Sequence, residues 1–367
     1  MFEQDIQPRT LLGPGPSNVH PRVLAAMSYP LIGHLDPQFI QLMNQVQDDL
    51  RYVFQTENPL TIPVSGTGSA AMEAALCNFI EPGDPVLICV NGYFGERLCD
   101  MASRYGAQVQ RIDRPWGEVF SLDEIRTALE KQPAKIIALV HAETSTGARQ
   151  PLEGLADLVH AQDGLLLVDC VTSLGGVPLR IDDLGIDIAY SGTQKCLSVP
   201  PGLGPITVGP RALDVLNQRS SKVANWYLDL SLVGKYWGSA RTYHHTAPIS
   251  MNYALSEGLR LVREEGLEAR WERHQRNAQL LWDGLEALGL ELIVPFENRL
   301  PSLTTVRIPE GVEDLPVRKT LLDQYDIEIA GGLGAFAGKA WRIGLMGHSS
   351  QPGNVAMLLG ALKQILK

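Results

Sequence analysis

Lys195 stands in the run Tyr190-Ser-Gly-Thr-Gln-Lys-Cys-Leu197, after a short apolar strand pattern, Ile186-Asp-Ile-Ala-Tyr190. It leads into Pro200-Pro-Gly-Leu-Gly204, and a lysine that leaves a strand into a turn of small residues can direct its amine into a cleft. Upstream, Leu165-Leu-Leu-Val-Asp-Cys-Val171 is an apolar strand carrying one carboxylate, Asp169. Alone, each has a plainer meaning. A strand-end lysine is more often a solvated surface residue, and an Asp after an apolar run is more often a turn former or an N-cap.

Together, at the ends of parallel strands, the amine and the carboxylate suit pyridoxal phosphate. Lysine forms a Schiff base with the cofactor, and the aspartate keeps the pyridine nitrogen protonated so that the ring accepts electrons. Thr61-Ile-Pro-Val-Ser-Gly-Thr-Gly-Ser69 adds a strand that runs into a Gly-rich turn and then a helix. Helix N-termini expose unpaired N–H groups and partial positive charge, so this turn can seat a phosphate, with Thr67 and Ser69 adding hydroxyls. It is neither a Walker loop nor a dinucleotide fingerprint.

Further candidates lie in the turns after other strands. Val90-Asn-Gly-Tyr-Phe-Gly-Glu96 offers Phe94 to stack on a planar ring, or as a hydrophobic plug. His141-Ala-Glu-Thr-Ser-Thr-Gly147 offers the Thr144 hydroxyl to a ring substituent, or as a helix cap. Tyr243-His-His-Thr246 has no carboxylate or thiol partner at metal-site spacing, so no metal is expected there, and Tyr243 and Thr246 read better as phosphate donors. Arg342, in Ala340-Trp-Arg-Ile-Gly344, can clamp a carboxylate with two prongs or form a surface ion pair.

The elements that must position these residues alternate. Strand patterns fall at Leu60–Val64, Pro85–Val90, Gln108–Ile112, Lys135–Val140, Leu165–Val171, Ile186–Tyr190 and Pro205–Val208, with helical stretches between them. Near-continuous apolar strands separated by helices give a mainly parallel seven-stranded sheet covered on both faces. Beyond about residue 250 come two long helices, then a smaller α+β set: strands Glu291–Val294, Leu303–Arg307, Ile327–Ile329 and Trp341–Leu345, and helices Leu315–Tyr325 and Asn354–Leu366. The expected organisation is an extended arm over 1–20, a large domain over 21–266 and a small C-terminal α+β domain over 267–367. The arm's Leu11–Pro16 stretch is expected to find little to pack on within its own subunit.

With 367 residues, 45% hydrophobic and 20% charged, the chain reads as a globular enzyme of two domains. A net charge of −10 argues against a nucleic-acid partner. Five cysteines without a CxxC pair read as free thiols, mostly buried. No apolar run reaches the ~18–20 residues of a membrane span, and no signal-peptide pattern opens the chain, so the cytoplasm is the expected location.

These motifs, with Leu11-Leu-Gly-Pro-Gly-Pro-Ser-Asn18, Tyr52-Val-Phe-Gln-Thr56 and Ser173-Leu-Gly-Gly176, resemble the class V aminotransferases of the fold type I pyridoxal-phosphate enzymes over nearly the whole chain. The resemblance implies pyridoxal 5′-phosphate held as an aldimine on Lys195, with Asp169 on the pyridine nitrogen, Phe94 stacked on the ring and Thr144 on its 3′-oxygen. It implies a phosphate cup of Thr67, Gly68, Ser69 and Gln194, completed by Tyr243 and Thr246 from the neighbouring subunit of a homodimer. Arg342 would bind the substrate carboxylate, with Gly15 nearby. Animal members carry tryptophan at the place of Phe94, histidine at Ser69, and serines at Thr67 and Thr144. The implied activity moves an amino group from alanine or serine to glyoxylate with ping-pong kinetics, the alternative being transfer from serine to pyruvate or glyoxylate as the main activity. A desulfurase-like lyase fits less well, since no cysteine follows Cys196, and a non-catalytic protein of this fold has little reason to keep Lys195, Asp169 and Arg342.

Overall fold

Apolar runs without polar interruption make strands that must be covered on both faces. In the computed structural model, which describes residues 6–367, seven strands form one sheet, and all but the edge strand Gln108–Asp113 are largely buried. Their spatial order is Leu60–Ser65, Leu203–Val208, Ile188–Tyr190, Leu165–Asp169, Ile136–Val140, Pro85–Val90 and Gln108–Asp113. Leu203–Val208 is antiparallel to both its neighbours, and the remaining pairs are parallel. The mainly parallel sheet read from the sequence is therefore present, with one reversed strand.

Helices cover the sheet, and their sequences show why they start and stop. Pro37–Phe54 places proline at its first turn, is capped by the Asp36 side chain on the Gln38 N–H, and ends at Gln55 in the left-handed region. It buries Phe39, Met43, Val46, Leu50 and Val53 on one face, each such side chain contributing roughly 1.5–3 kcal/mol. That face packs against the helix Ile249–Glu265. No helix among the described residues is long and apolar enough to cross a membrane.

A second apolar core lies in the C-terminal part. Leu303–Arg307, Ala340–Gly344 and Ala330–Gly331 form an antiparallel sheet, and Val306, Trp341 and Ile343 from it pack with Leu358 and Leu362 of the helix Pro352–Ile365. The helix Leu267–Ala287 joins the two cores. Its Leu267 and Trp271 belong to the first, and its Leu281 and Leu285 to the second.

Three expectations are corrected. Glu291–Val294 is not a strand: it makes only an isolated bridge, Leu292 to Val306, before Pro295 turns the chain away. The strand expected at Ile327–Ile329 stops at Glu328, where Ile327–Glu328 pairs in parallel with Thr10–Leu11, and after Ile329 a separate strand, Ala330–Gly331, pairs with the strand of Arg342. The N-terminal arm is packed within its own subunit. Leu12 is fully buried in the second core, and its carbonyl accepts from the Gly344 N–H at 2.8 Å. The first five residues of the expected arm lie outside the described residues.

Candidate active site

Open α/β sheets gather ligands outside the carboxyl ends of their strands, because loops of several strands meet there. Asp169 ends one strand of this sheet. Lys195 lies in the turns after Ile188–Tyr190, the His141–Gly147 loop follows Ile136–Val140, Phe94 follows Pro85–Val90, and the Gly66–Ser69 turn follows Leu60–Ser65. The structure thus brings the sequence candidates from five strand ends to one edge.

Lys195 is buried, and its Nζ donates to the Pro14 carbonyl of the arm. Gly15 has φ +107°, and a Cβ placed there would lie 2.6 Å from Lys195 Nζ. Glycine is required twice over, by its backbone and by the amine against it. Ser17 fastens the arm to the lysine turn: its N–H donates to Gln194 O at 2.9 Å and its hydroxyl to Lys195 O at 2.9 Å. Burial lowers the amine's pKa to about 8, with the Arg342 charge acting in the same direction and Asp169 opposing it.

Asp169 is buried and fully bonded. Its Oδ1 accepts from the Val171 N–H at 2.8 Å and its Oδ2 from the Tyr190 hydroxyl at 2.7 Å. Burial raises its pKa to about 6, against the lowering effect of these two donors and of Lys195 and Arg97. A cation set against this carboxylate favours its ionised form.

Phe94 is positioned by a residue the sequence reading passed over. The helix Tyr93–Arg104 begins at Gly92, which has no capping side chain of its own. The fully buried Glu143 serves instead, its Oε2 accepting from the Phe94 N–H at 3.2 Å and its Oε1 from the Ser145 N–H at 3.0 Å. Ser145 Oγ accepts from the Tyr93 N–H at 3.0 Å. A Cβ on Gly92 would lie 2.3 Å from Glu143 Cγ, so the close approach needs glycine. Burial pushes the Glu143 pKa up to about 7. Next to it, the Thr144 hydroxyl meets that of Thr172, and the Thr144 carbonyl accepts from Arg342 Nη1 at 3.3 Å. Arg342 Nε donates to Gly331 O at 2.9 Å, which aims the guanidinium across from the second core.

The phosphate-type turn opens the helix Gly68–Cys77. Thr67 is its N-cap but makes no side-chain bond to the helix, so the first N–H groups keep their donor capacity. Gly68 approaches Gly192 so closely that a Cβ would stand 3.3 Å from the Gly192 Cα. Gln194, two residues on, has a buried Oε1 with no partner, and Ser69 Oγ accepts from Arg97 Nη1 at 3.1 Å. An uncapped helix start and a nearby guanidinium fit a phosphate, as the amine and carboxylate fit a pyridine aldehyde.

Tyr243 and Thr246 do not join this cluster within the chain. Tyr243 is 59% exposed with its ring against His34, and Thr246 is exposed. Between them, His245 Nε2 lies 2.7 Å from Ser65 Oγ, so the loop rests beside the phosphate turn while these two side chains face outward. Sequence reasoning missed Glu143, Arg97 and Tyr190 as site residues. Arg97 had one signal, its i+3 spacing from Phe94 on a helix. Glu143 adjoined Thr144 in a polar turn, and nothing in its spacing distinguished it.

A family model described as aminotransferase class-V matches residues 11–346. The (S)-ureidoglycine–glyoxylate transaminase of Bacillus subtilis is 43% identical over 376 residues, covering 98% of this chain and 90% of that protein. The alanine–glyoxylate aminotransferase of Callithrix jacchus is 43% identical over 366 residues, covering 99% and 88%. Among solved structures, an alanine–glyoxylate aminotransferase from Nostoc sp. superposes with a TM-score of 0.99 at 59% identity, covering 100% of this chain and 97% of that one. The chain belongs to the class-V aminotransferase family. It is an aminotransferase of the pyridoxal-phosphate-dependent fold, and its cofactor is pyridoxal 5′-phosphate.

The lowered pKa of Lys195 has a kinetic consequence. Only the neutral amine attacks a carbonyl, so capture of pyridoxal phosphate by the cofactor-free chain should rise with pH and level off above about 8. Stopped-flow absorbance, referenced to the same reaction of a free alkylamine, measures this. A rate still climbing in proportion to hydroxide at pH 10 would indicate an unperturbed, solvated lysine.

Proposed function

We propose that this enzyme moves an amino group from a small amino acid, alanine or serine, to glyoxylate, with Lys195 as its catalytic base and cofactor anchor. The observation that carries the acceptor is the single carboxylate clamp. Arg342 is buried at the site's edge and held by the Thr144 and Gly331 carbonyls, while the other nearby guanidinium, Arg97, lies at the phosphate turn, on Ser69 and the Phe94 ring. Both relatives described above carry glyoxylate in their names, and their donors differ.

Pyridoxal phosphate, when bound, supplies an electron-accepting ring that lowers the barrier to loss of the substrate's Cα proton. The chain's own residues do the rest. The Lys195 amine, depressed to a pKa of about 8, would take the substrate's Cα proton. Asp169 holds the ring nitrogen protonated, and Tyr190 and the Val171 N–H fix that carboxylate. Phe94 would stack on the ring and the Thr144 hydroxyl would bond its 3′-oxygen. Thr67, Gly68, Ser69 and Gln194 hold the phosphate, and Arg342 orients the substrate carboxylate with Gly15 beside it. The donor's keto acid leaves before glyoxylate binds, which gives ping-pong kinetics. The same reading takes 21–266 as the cofactor domain and 267–367 as the smaller one, on the support of two separate cores joined by one helix.

The active form in this reading is a homodimer, with Tyr243 and Thr246 completing the partner's phosphate cup. Their outward exposure supports this assignment. Mixing a Lys195→Ala variant with a Tyr243→Phe/Thr246→Ala variant should restore part of the activity through mixed dimers. An active monomer at assay concentration would contradict it.

Substrate preference tests the function itself. A distal carboxylate without a partner in a partly desolvated site costs several kcal/mol, so glyoxylate should exceed 2-oxoglutarate in kcat/KM on the order of hundreds-fold or more. Arg342→Lys should weaken every amino and keto acid together, because the charge remains but the two-pronged geometry is lost. Comparable kcat/KM for the two acceptors would refute the single-clamp reading. A panel of half-reactions with alanine, serine, glycine and (S)-ureidoglycine identifies the donor.

A further inference from the structure

Arg97 is the half-buried cation at the site that neither the fold nor the roles assigned so far explain. Its guanidinium carbon lies 4.8 Å from the centre of the Phe94 ring and 5.3 Å from that of Tyr93. Its Nη1 donates to Ser69 Oγ at 3.1 Å. Among the described residues no carboxylate lies within ion-pair distance of it, whereas most arginines of this chain are paired, including Arg104 at the end of the same helix and Arg111 on the strand that follows. A guanidinium committed to one aromatic face and one hydroxyl keeps further N–H donors free, and its charge is uncompensated.

These contacts tie together two parts of the site that come from different elements. Glu143 fixes the main chain of Phe94 but leaves the ring to rotate about its side-chain bonds. Arg97 lies over that ring and holds, on its other side, the first turn of the helix Gly68–Cys77, where Thr67 leaves donors uncapped. Its charge also reaches Asp169, whose ionised form it favours. The ring-stacking residue, the phosphate turn and the nitrogen-binding carboxylate are thus all under the influence of one side chain.

We propose that Arg97 is a positioning residue for the cofactor: it locks the Phe94 ring and the Ser69 hydroxyl into one arrangement and gives the phosphate end of the site its fixed positive charge. The proposal rests on the reading of Lys195 and Asp169 as the pyridoxal-phosphate site. A cofactor carrying an anionic phosphate and a planar ring is served at both ends by the same guanidinium.

The test is a titration of cofactor-free wild type, Arg97→Met and Arg97→Lys with pyridoxal phosphate, followed by visible absorbance and by the circular dichroism of the bound cofactor. Inorganic phosphate serves as a competitor, and the thermal midpoint of each cofactor-free chain reports the fold. Arg97→Met should weaken cofactor binding roughly tenfold or more, the loss expected for one cation–π contact and one charged hydrogen bond, and should weaken competition by phosphate. Arg97→Lys should recover part of the affinity, through its charge, but not the dichroic amplitude, which follows the ring's orientation. Should Arg97→Met fail to fold, the Lys variant decides, since wild-type dichroism from it overturns the clamp. Unchanged or tighter binding by a folded Arg97→Met also overturns the proposal. A wild-type chain that gave no cofactor band would overturn the reading of the site instead, which keeps the two failures apart.

Discussion

The burial of one lysine amine is the constraint around which the other parts of this site are arranged. Taking an ammonium out of water is costly, and the chain lowers that cost by moving the Lys195 pKa toward neutrality and by giving the amine the Pro14 carbonyl. The carbonyl is available only because the N-terminal arm crosses the lysine turn, and the arm can cross only because residue 15 has no side chain. The arm in turn is held by Ser17 on the lysine turn and by Leu12 in the second core. The lysine that follows a strand of the large sheet is thus covered by a segment anchored in the C-terminal part.

Around that amine the chain buries an unusual set of ionisable groups: Asp169, Glu143 and Arg342. Each is bonded to main-chain or hydroxyl groups rather than joined in a direct ion pair, so each remains charge-poised. Burial raises both carboxylates and lowers the amine, which brings their pKa values to about 6, 7 and 8. Clusters perturbed in this way mark sites of proton transfer, because a group that titrates near working pH can both take and give a proton.

Much of this was legible in the residues. Asp169 stood out as the one carboxylate at the end of an apolar strand and Lys195 as the amine in the small-residue turn after the next, and strand ends are where this architecture places ligands. The central strands were readable because a two-sided buried strand has no polar period to obscure it, whereas the edge strand Gln108–Asp113 carries polar residues and is not buried. What escaped was set by contacts between distant segments. Thr10–Leu11 pairs with Ile327–Glu328 from the opposite end of the chain, and no local pattern encodes that ladder. Glu143 and Arg97 looked like ordinary polar residues in a turn and on a helix, and they acquire their roles only when Phe94 is brought between them. Glu291–Val294 had strand composition, but its neighbour offered only a single bridge.

The assignment of Lys195 is tested most directly by borohydride reduction of the cofactor-loaded enzyme, followed by proteolysis and mass spectrometry of the peptides. A pyridoxyl group on Lys195, and its disappearance together with the visible cofactor band in Lys195→Ala, is the expected result. Recovery of the pyridoxyl group on another lysine, with Lys195 unmodified, would contradict the site, the catalytic base and the proposed reaction together.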